Sequence, residues 1–422
     1  MITKIHIERF KSIRELELDF GRVNLFIGGN GSGKSNLLEA IGVMSATLSR
    51  GLTDNDFSRK GVRITPATLM KSAFKNADLP KSLTLKADFS NGLQYSCSLT
   101  ASINDTTLSF RHENCVSGDV KIFGRSPNGA SANGKRLTRS LDKYRGIWDQ
   151  TRALSDYPTE VANELDQLAA YAIFAPQTEF LRGIKTGSIA TPPIGLHGEG
   201  LPGALKALLR DINAPNRNRS KQESQLMTRA MQLMFKPDWA HQVQVGRLSD
   251  ILKSRDLPGA AVDMVYFVDR FMHAKRNKLS AYDSSEGTLF LLFSAILLAH
   301  IEAPKIFAMD NVDSALNPKL TRVLLETIIE VNRLKLKGSL MRGPEQVFLT
   351  SHNPTSLDAF DIFDDDCRIF VVMRGPTGET LAERLIPPSG VSKEDWRIAS
   401  KDRNLSQMWI DGEIKGALGG RL

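Results

Sequence analysis

The residues best suited to chemistry lie in one short glycine-rich stretch, GGNGSGKSN, at positions 28–36. Gly28, Gly33, Lys34 and Ser35 have the spacing of a phosphate-binding loop. The glycines let backbone N–H groups turn toward an anion at a helix N-terminus. Lys34 would then reach the β- and γ-phosphates of a nucleotide, and the Ser35 hydroxyl would bind Mg²⁺. The stretch therefore predicts a site for a nucleoside triphosphate with magnesium.

A phosphate-binding loop must be held between a strand and a helix, and the sequence predicts both. Residues 23–27, VNLFI, form an apolar run typical of a buried strand. An apolar, helix-favouring segment follows at about 34–49. Upstream, residues 2–10 and 13–20 alternate apolar and polar side chains, which indicates two half-buried strands.

Two later segments each predict a strand that ends in a polar residue. Residues 305–309, KIFAM, are followed by Asp310, and a carboxylate at that end of a buried strand is where P-loop enzymes hold Mg²⁺. Residues 347–351 are followed by His352, in a position to approach a γ-phosphate. We expect both side chains at the nucleotide site.

A second candidate anion site precedes the long apolar helix predicted at 289–299. The turn DSSEGT, residues 283–288, contains the small residues that suit an anion at a helix start. In the same chain, the phosphates of the nucleotide would already be bound by the phosphate-binding loop. A second turn of this kind is explained if it serves the nucleotide of another subunit.

Five motifs in order, GGNGSGKS, APQ, SSEGT, AMDNVDSALNP and LTSHNP, resemble those of the ABC-type ATPase heads of the RecF, SMC and OLD families, the AAA_21-like group. The resemblance runs from residue 2 to about residue 375. It implies an α/β fold, a P-loop NTPase head with a mixed central sheet, an antiparallel β subdomain and a helical lobe that carries the signature motif. It also implies a homodimer, or a larger homo-oligomer, that traps two ATP molecules between facing subunits.

The resemblance assigns roles residue by residue. It implies that ATP is bound by the Walker A residues Gly28, Asn30, Gly31, Ser32, Gly33, Lys34, Ser35 and Asn36. Ser285, Glu286 and Gly287 of the signature motif would contact the nucleotide of the other subunit. Mg²⁺ would be held by Ser35, Gln177 of the Q-loop and Asp310 of Walker B. The catalytic set would comprise Asn311, Gln177, the switch histidine His352 and Asp313, with Ser314 to Leu316 as the D-loop.

Asn311 departs from the family pattern, in which a glutamate follows the Walker B aspartate. An amide can orient a water molecule but cannot accept its proton, and a positioned acid–base group contributes roughly 10²–10⁴-fold in rate. Two hypotheses follow. Either ATP closes a long-lived sandwich that acts mainly as a switch, which we favour, or another carboxylate such as Asp313 substitutes.

The motifs divide the chain into four predicted parts. Residues 1–190 form the first ATPase lobe, in which 82–89 and 93–103 flank an Asn91-Gly92 turn typical of a hairpin. Within it, the Gly-, Ser- and Asn-rich residues 116–145 predict a mobile basic excursion. The other parts are a helical insert at 191–275, the lobe with the signature, Walker B, D-loop and switch histidine at 276–385, and a C-terminal helix and tail at 386–422.

Composition limits the class of protein. The 422 residues are 41% hydrophobic and 24% charged, with a net charge of +8 and three widely spaced cysteines. These values are typical of a globular protein in a reducing compartment. The longest apolar run, 289–299, is too short to cross a bilayer. We expect a cytoplasmic protein with no membrane partner and no structural zinc site.

Compact heads of this kind resemble the ATPase components of bacterial anti-phage systems of the Septu, Gabija, PARIS and retron-associated types. That resemblance implies an ATP-dependent scaffold or sensor that controls a separately encoded effector, often a nuclease. The alternative is a RecF-like DNA-repair clamp on duplex DNA. For the clamp, phosphate contacts would come from 217–221 and from the excursion, through Lys121, Arg125, Lys135, Arg136, Arg139, Lys143 and Arg145. Merely solvated charges are the competing interpretation.

Overall fold

A computed structural model describes residues 1–75, 77–102, 105–138, 140–189, 191–214, 219–247, 263–338, 341–399, 403–414 and 416. Arg139, residues 217 and 218 of the basic connector, and the tail from 417 onward lie outside the described residues. The chain divides into two compact units. The first comprises Met1–Ile173, Lys305–Asn311 and Glu345–Leu422, and the second comprises Phe174–Pro304 and Val312–Pro344.

The first unit contains an eight-stranded antiparallel sheet of order β2-β1-β4-β5-β6-β7-β8-β9. Alternation of buried and exposed side chains along these strands places one face on the core, as in β4, where every second residue is buried. The strands are β1 (Ile2–Phe10), β2 (Ile13–Asp19), β4 (Ser82–Phe89), β5 (Leu93–Thr100), β6 (Ser109–Ser117), β7 (Val120–Ser126), β8 (Gly129–Ala132) and β9 (Lys135–Arg136).

The prediction of a loop-like excursion at 116–145 is wrong. Three strands of the antiparallel sheet, β7 to β9, lie in this segment, and each pairs in register with its neighbour. Phe123 is fully buried, and its ring stacks on Trp148 with centroids 6.4 Å apart. The Gly-, Ser- and Asn-rich composition was misleading. Backbone hydrogen bonds and the apolar residues of β7 stabilise these strands, while their other residues are of types common in loops.

A second, mixed sheet of the first unit has the order β10-β14-β15-β3-β16-β17. β14, β15, β3 and β16 are mutually parallel, and β17 runs antiparallel to β16. The carboxyl ends of the parallel strands therefore meet at one edge, the usual ligand edge of such sheets. The strands are β3 (Val23–Ile27), β10 (Ile173–Phe174), β14 (Ile306–Met309), β15 (Gln346–Ser351), β16 (Cys367–Arg374) and β17 (Thr380–Arg384).

Helix α1 (Lys34–Leu48) follows the glycine-rich loop and is buried almost all round, from Leu37 to Leu48. Its apolar side chains share one hydrophobic core with residues of both sheets, such as Ile5 and Phe348. A helix so enclosed cannot shift without disturbing that core, so the loop at its N-terminus has a fixed base. The unit also contains α2 (Asp54–Arg59), α3 (Ile147–Thr151), α4 (Thr159–Ala170), α10 (Lys393–Ala399) and α11 (Leu405–Ile410).

The second unit combines helices with a small antiparallel sheet of order β11-β12-β13. Its helices are α5 (Thr178–Leu181), α6 (Leu201–Ile212), α7 (Lys221–Gln232), α8 (Glu286–Ala299) and α9 (Pro318–Gly338). Its strands are β11 (Ala240–Arg247), β12 (Asp263–Asp269) and β13 (Lys278–Ser280). The segment predicted as a helical insert, 191–275, therefore also contains two strands, β11 and β12.

The predicted fold class is confirmed: the chain is α/β, with a mixed sheet, an antiparallel sheet and helices that carry the signature turn. The strand β10 ends at Phe174, and α5 begins at Thr178, directly after Gln177. Within the described ranges, no helix has the length and apolarity needed to span a membrane. All three cysteines are buried.

Candidate functional site

The glycine-rich loop leaves β3 and enters α1 through two positions that exclude any side chain. A Cβ at Gly28 would lie 2.0 Å from the carbonyl oxygen of Val372, and one at Gly33 would lie 2.0 Å from Oγ1 of Thr380. Gly33 also has φ of 107°, in the left-handed region that favours glycine. Both glycines are therefore required by β16 and β17, which pack against the loop.

Lys34 begins α1 and turns its side chain back over the loop. Its Nζ donates to the carbonyl oxygens of Gly28 at 2.8 Å and Gly29 at 2.9 Å. The same ammonium group lies 3.2 Å from Nδ1 of His352. Since the side chain is only 5% exposed, its charge is concentrated inside the loop, where an anion would be bound.

Ser35, on the first turn of α1, faces the carboxylate that follows β14. Its Oγ lies 3.0 Å and 3.2 Å from the two carboxylate oxygens of Asp310. Thr350, on β15, also donates to this carboxylate, and it accepts the backbone N–H of Asn311 at 2.8 Å. Two adjacent hard oxygen donors beside a phosphate site match what Mg²⁺ takes from proteins, which is one or two ligands besides phosphates and water. Ser35 and Asp310 therefore fit a magnesium ion.

Asn311 and His352 meet at the ends of β14 and β15. His352 Nε2 lies 3.0 Å from Asn311 Oδ1, and its other ring nitrogen faces the Lys34 ammonium group. An ammonium group can only donate, so Nδ1 accepts and Nε2 carries the proton that is donated to Asn311. Asn311 has φ of 55°, which an asparagine adopts more readily than most residues. These contacts place Lys34, His352 and Asn311 in one hydrogen-bonded chain.

A chain of hydrogen-bonded polar groups supports the loop from behind, and it was not predicted from the sequence. Asn36 Nδ2 donates to Ser12 Oγ at 2.6 Å, Ser12 Oγ lies 2.7 Å from Thr380 Oγ1, and Thr380 donates to the carbonyl oxygen of Ser32 at 3.0 Å. Arg374 donates to the carbonyl oxygen of Gly31 at 2.7 Å. The chain links β17 and the β1–β2 turn to the loop. These residues are far apart in the sequence, so the folded structure identifies them and the spacing of residues along the chain does not.

The β1–β2 turn supplies a buried ion pair beside the loop. The carboxylate of Glu39, on α1, is 3% exposed and is paired with Lys11 and Arg63. Burial lowers the pKa of Lys11, and the Glu39 charge opposes that shift. Arg63 also donates to Asn36 Oδ1 at 2.8 Å. Lys11 is therefore a paired, buried cation rather than a solvated hairpin charge, whereas Arg9 is exposed and pairs with Glu8.

The remaining predicted site residues belong to the second unit. Gln177 is exposed and directly precedes α5, and its backbone N–H donates to the carbonyl oxygen of His197 at 2.9 Å. The next residue, Thr178, donates to the carboxylate of Glu286 in the signature turn. Arg182 donates to the carbonyl oxygen of Ser284 at 3.3 Å. The Q-loop segment is thus bonded directly to the signature turn within this unit.

The signature turn forms the N-terminus of α8. Ser285 caps the helix by accepting the backbone N–H of Thr288, and both Ser285 and Glu286 are exposed. A Cβ at Gly287 would lie 3.1 Å from the carbonyl oxygen of Ala315 in the D-loop. The turn therefore offers the free N–H groups of a helix start, which suit an anion. Asp313 lies in the same unit, and its carbonyl oxygen accepts from Leu316.

Three features of the site could not be predicted from the motifs. Thr350 orients the Walker B carboxylate, Thr380 and Ser12 support the loop, and Trp239 donates to Thr288 beside the signature serine. Over the described ranges, no group of three or more His, Cys, Asp or Glu side chains is arranged to hold a metal ion.

Comparison with known proteins places these motifs in a family. Residues 23–358 match the model of the AAA_21 family, described as "AAA domain, putative AbiEii toxin, Type IV TA system". Two curated relatives are the DNA replication and repair protein RecF from two strains of Streptococcus agalactiae, serotypes V and III. Each is 35% identical over 83 residues, which is 18% of this chain and 22% of the relative. The chain thus matches about a fifth of the length of these relatives.

Three solved structures that match this chain share little sequence with it. The SMC head domain from Thermotoga maritima is 15% identical, covers 92% of this chain and 99% of its own, and has a TM-score of 0.42. The Smc head domain from Pyrococcus furiosus, solved with the C-terminal domain of ScpA, is 13% identical over 96% and 99%, with a TM-score of 0.47. The recombination mediator RecF is 14% identical over 90% and 98%, with a TM-score of 0.33.

The family match includes the glycine-rich loop, the Q-loop, the signature turn, Asp310 and His352, and it extends over more than half of the chain. The chain therefore belongs to the AAA_21 family and carries the ATPase domain of that family.

Proposed function

We propose that the chain binds ATP with Mg²⁺ between the loop Gly28–Ser35 and Asp310, and hydrolyses it slowly. The observation that carries this proposal is the convergence of Lys34, Ser35, Asp310 and His352 at the ends of adjacent parallel strands. Bound magnesium would neutralise charge on the phosphates, with Ser35 and Asp310 as its protein ligands.

The residues of the first unit divide the work on the nucleotide. Loop N–H groups and the Lys34 ammonium group bind the β- and γ-phosphates, which requires Lys34 to exchange carbonyl partners for phosphate oxygens. His352, whose two ring nitrogens contact Lys34 and Asn311, orients the Asn311 amide beside the γ-phosphate, where that amide can hold a water molecule by a hydrogen bond. Asn311 cannot accept a proton from that water molecule. The site therefore positions the water without supplying a general base.

Hydrolysis is therefore expected to be slow compared with vigorous ATPases, whose turnover is on the order of 10 s⁻¹. Positioning and charge stabilisation account for much of phosphoryl-transfer catalysis, so some activity persists. We propose that bound ATP acts mainly as a switch. A measured turnover near 10 s⁻¹ would reject this part of the proposal.

The switch is a homodimer in which each ATP lies between the loop of one subunit and the signature turn of the other. Ser285, Glu286 and Gly287 form an exposed helix start that suits an anion, and Ser35 and Lys34 already serve the phosphates of their own chain. A composite site of this kind makes dimerisation depend on ATP. Asp313, close in sequence to Asn311, is proposed as an auxiliary carboxylate.

The dimer or a larger assembly of it would act as a scaffold or sensor that controls a separately encoded effector in bacterial anti-phage defence. The motif resemblance supports this role, and the family description, which includes a toxin of a toxin–antitoxin system, favours an effector that damages the cell. Co-purification of the native assembly with a nuclease encoded by a neighbouring gene would support it.

A RecF-like clamp on duplex DNA is the second candidate, favoured by the 35% identity to RecF over 83 residues. The structure narrows the basic surface available for it. Arg125 is buried in an ion pair with Glu113, so it is not free for DNA, whereas Arg145 is exposed and pairs with Asp149. Among the described residues, the excursion also exposes Lys121, Lys135, Arg136 and Lys143, and the connector exposes Lys221. DNA affinity that falls steeply with salt would favour the clamp.

Replacing the loop lysine tests the ATP site directly. Lys34→Ala should reduce ATP affinity at least about a hundredfold, because it removes a charged partner of the phosphates. Titration calorimetry with ATP and Mg²⁺ measures the change. Lys86→Ala, on the exposed face of β4, is the matched control and should bind as the parent does. An unchanged affinity in Lys34→Ala would reject the assignment of the loop.

A further inference from the structure

The hydroxyl of Ser285 lies in a short chain of hydrogen bonds that begins at Trp239. Trp239 Nε1 lies 3.0 Å from Thr288 Oγ1, and Thr288 Oγ1 lies 2.7 Å from Ser285 Oγ. The backbone N–H of Thr288 also donates to Ser285 Oγ at 3.3 Å. All of these residues belong to the second unit, so the chain is internal to it.

The chemistry of the groups sets the direction of this chain. An indole N–H can only donate, so Thr288 Oγ1 accepts from Trp239. Thr288 is fully buried, and a buried hydroxyl proton needs an acceptor. In the described part of the second unit, Ser285 Oγ is the acceptor that Thr288 Oγ1 reaches. Thr288 therefore donates its proton to Ser285.

Ser285 consequently accepts two hydrogen bonds from Thr288, one from its hydroxyl and one from its backbone N–H. Both lone pairs of the serine oxygen are then occupied. Its own proton has to point elsewhere, and Ser285 is an exposed residue. The serine is thus prepared as a donor toward whatever lies in front of the helix start.

We infer that Trp239 and Thr288 are positioning residues for the signature serine. They turn the Ser285 hydroxyl outward, so that it donates to the γ-phosphate of ATP held by the other subunit. The inference rests on the proposed ATP-dependent dimer, and it adds a residue from the segment before β11 to the signature site. Without the Trp239 donor, Thr288 Oγ1 becomes free to accept the Ser285 proton and turn it inward.

Trp239 is itself held firmly enough for this task. Asp238 has φ of 68°, and this left-handed turn directs the chain into β11. The carbonyl oxygen of Trp239 accepts the N–H of Arg270 at 2.9 Å. Its ring packs on Phe267 with centroids 5.5 Å apart. The indole N–H is therefore aimed at Thr288 by the strand and by ring packing.

A double-mutant cycle tests the inference. Trp239→Phe keeps a ring and removes the donor, so it should raise the ATP concentration for half-maximal dimerisation about three- to tenfold, as one misdirected hydrogen bond would. In a Ser285→Ala background the same change should have no further effect, since the hydroxyl that it orients is absent. Light scattering against ATP concentration gives all four values.

Two outcomes would overturn the inference. Trp239→Phe could dimerise as the wild type does, or it could weaken the Ser285→Ala protein by the same factor, which would show a merely structural role. Thr288→Ser retains the hydroxyl and should behave as wild type. A wild-type protein that stays monomeric with ATP would contradict the proposed function, and this inference with it.

If Trp239→Phe fails to fold, Thr288→Val carries the same test in both backgrounds. Valine matches threonine in shape and removes the hydroxyl that holds Ser285. Dimerisation should again weaken only where Ser285 is present. Trp396→Phe, in α10 of the first unit, serves as the matched control for loss of an indole and should leave the ATP dependence unchanged.

Discussion

Asn311 determines what the ATP site can do. It occupies the position where a carboxylate would act as the general base, and its Oδ1 is engaged by His352 Nε2 at 3.0 Å. An amide there preserves the hydrogen-bond geometry and removes the proton acceptor. Under the proposed function, the site therefore binds ATP and hydrolyses it slowly.

Restoring a carboxylate should convert the switch into a faster enzyme. Asn311→Glu is expected to raise the rate of ATP hydrolysis at least about tenfold, part of the roughly 10²–10⁴-fold that a positioned base contributes. Steady-state release of phosphate measures the rate, and the lifetime of the ATP-bound dimer should shorten in parallel.

Asn311→Asp provides the control for geometry, since its shorter carboxylate lies at the same position but reaches less far. A smaller gain is expected from it. A rate that is unchanged or lower in Asn311→Glu would contradict the assignment, and an inactive Asp313→Asn protein would favour Asp313 as the base instead.

Besides any bound nucleotide, the elements that pack behind the loop stabilise its conformation. Thr380, on β17, is 1% exposed and donates to Ser32 while accepting from Ser12. The strand therefore supports both the loop and the first turn of α1, which Asn36 joins to Ser12.

Removing the Thr380 hydroxyl should weaken ATP binding without touching the nucleotide. Thr380→Val leaves the Ser32 carbonyl and the Ser12 hydroxyl without this partner, at a cost of about 1–3 kcal/mol in the free energy of unfolding. ATP affinity should fall several-fold as the loop loses its support. Chemical denaturation and titration calorimetry give the two values. Thr377→Val, exposed in the same hairpin, should change neither.

Such support could not be predicted from the sequence, although the loop itself could. Residues 23–36 signal their structure through neighbours in the chain: an apolar strand, glycines at fixed spacing and a helix start. Thr380 contacts Ser32, which is 348 positions away in the sequence. A single threonine in a strand does not predict such a contact. Asp310 and His352 were predictable because each follows a short apolar run, whereas Thr350 lies inside one.

A buried carboxylate in the antiparallel sheet makes the stability of the first unit depend on pH. Glu113, on β6, accepts from Arg125 on β7 and from the N–H of Ile147 at the start of α3. Burial raises the pKa of Glu113 to about 7, against the opposing charge of Arg125. The folded protein therefore holds a proton between about pH 4.5 and 7 that the unfolded chain has released.

The sign of the effect follows from this difference in bound protons. Where the folded state binds more protons, the free energy of unfolding falls as pH rises, so stability is lost between about pH 4.5 and 7. The Glu113 contribution to this loss is about 3 kcal/mol at most. Glu113→Gln does not titrate, so its free energy of unfolding should decline less over the same range. Denaturation at pH 5, 6.5 and 8 tests this, and parallel declines would contradict it.

At the scale of the whole molecule, the predicted site residues are distributed over both units. The first holds the loop, Asp310, Asn311 and His352, and the second holds Gln177 and the signature turn. Because Thr178 and Arg182 bond the Q-loop segment to that turn, the second unit presents them as one piece. In the proposed ATP sandwich, the glycine-rich loop of one subunit faces the signature turn of the other.

Two inactive variants should therefore rescue each other when they are mixed. Lys34→Ala lacks a working loop but keeps its signature turn, whereas Ser285→Arg keeps its loop but has a bulky side chain in the turn. Neither should dimerise with ATP alone. In a mixed dimer, the loop of Ser285→Arg faces the turn of Lys34→Ala, so one of the two composite sites is intact.

Native mass spectrometry with ATP distinguishes the mixed dimer if one variant carries a mass tag. A dimer with one bound ATP, and hydrolysis at about half of the wild-type rate per dimer at most, is the expected result. Mixing Lys34→Ala with itself in tagged and untagged form is the control. If the mixture stays monomeric while wild type dimerises with ATP, one intact site does not suffice. If Ser285→Arg dimerises with ATP unaided, the signature turn does not act on the other subunit's nucleotide.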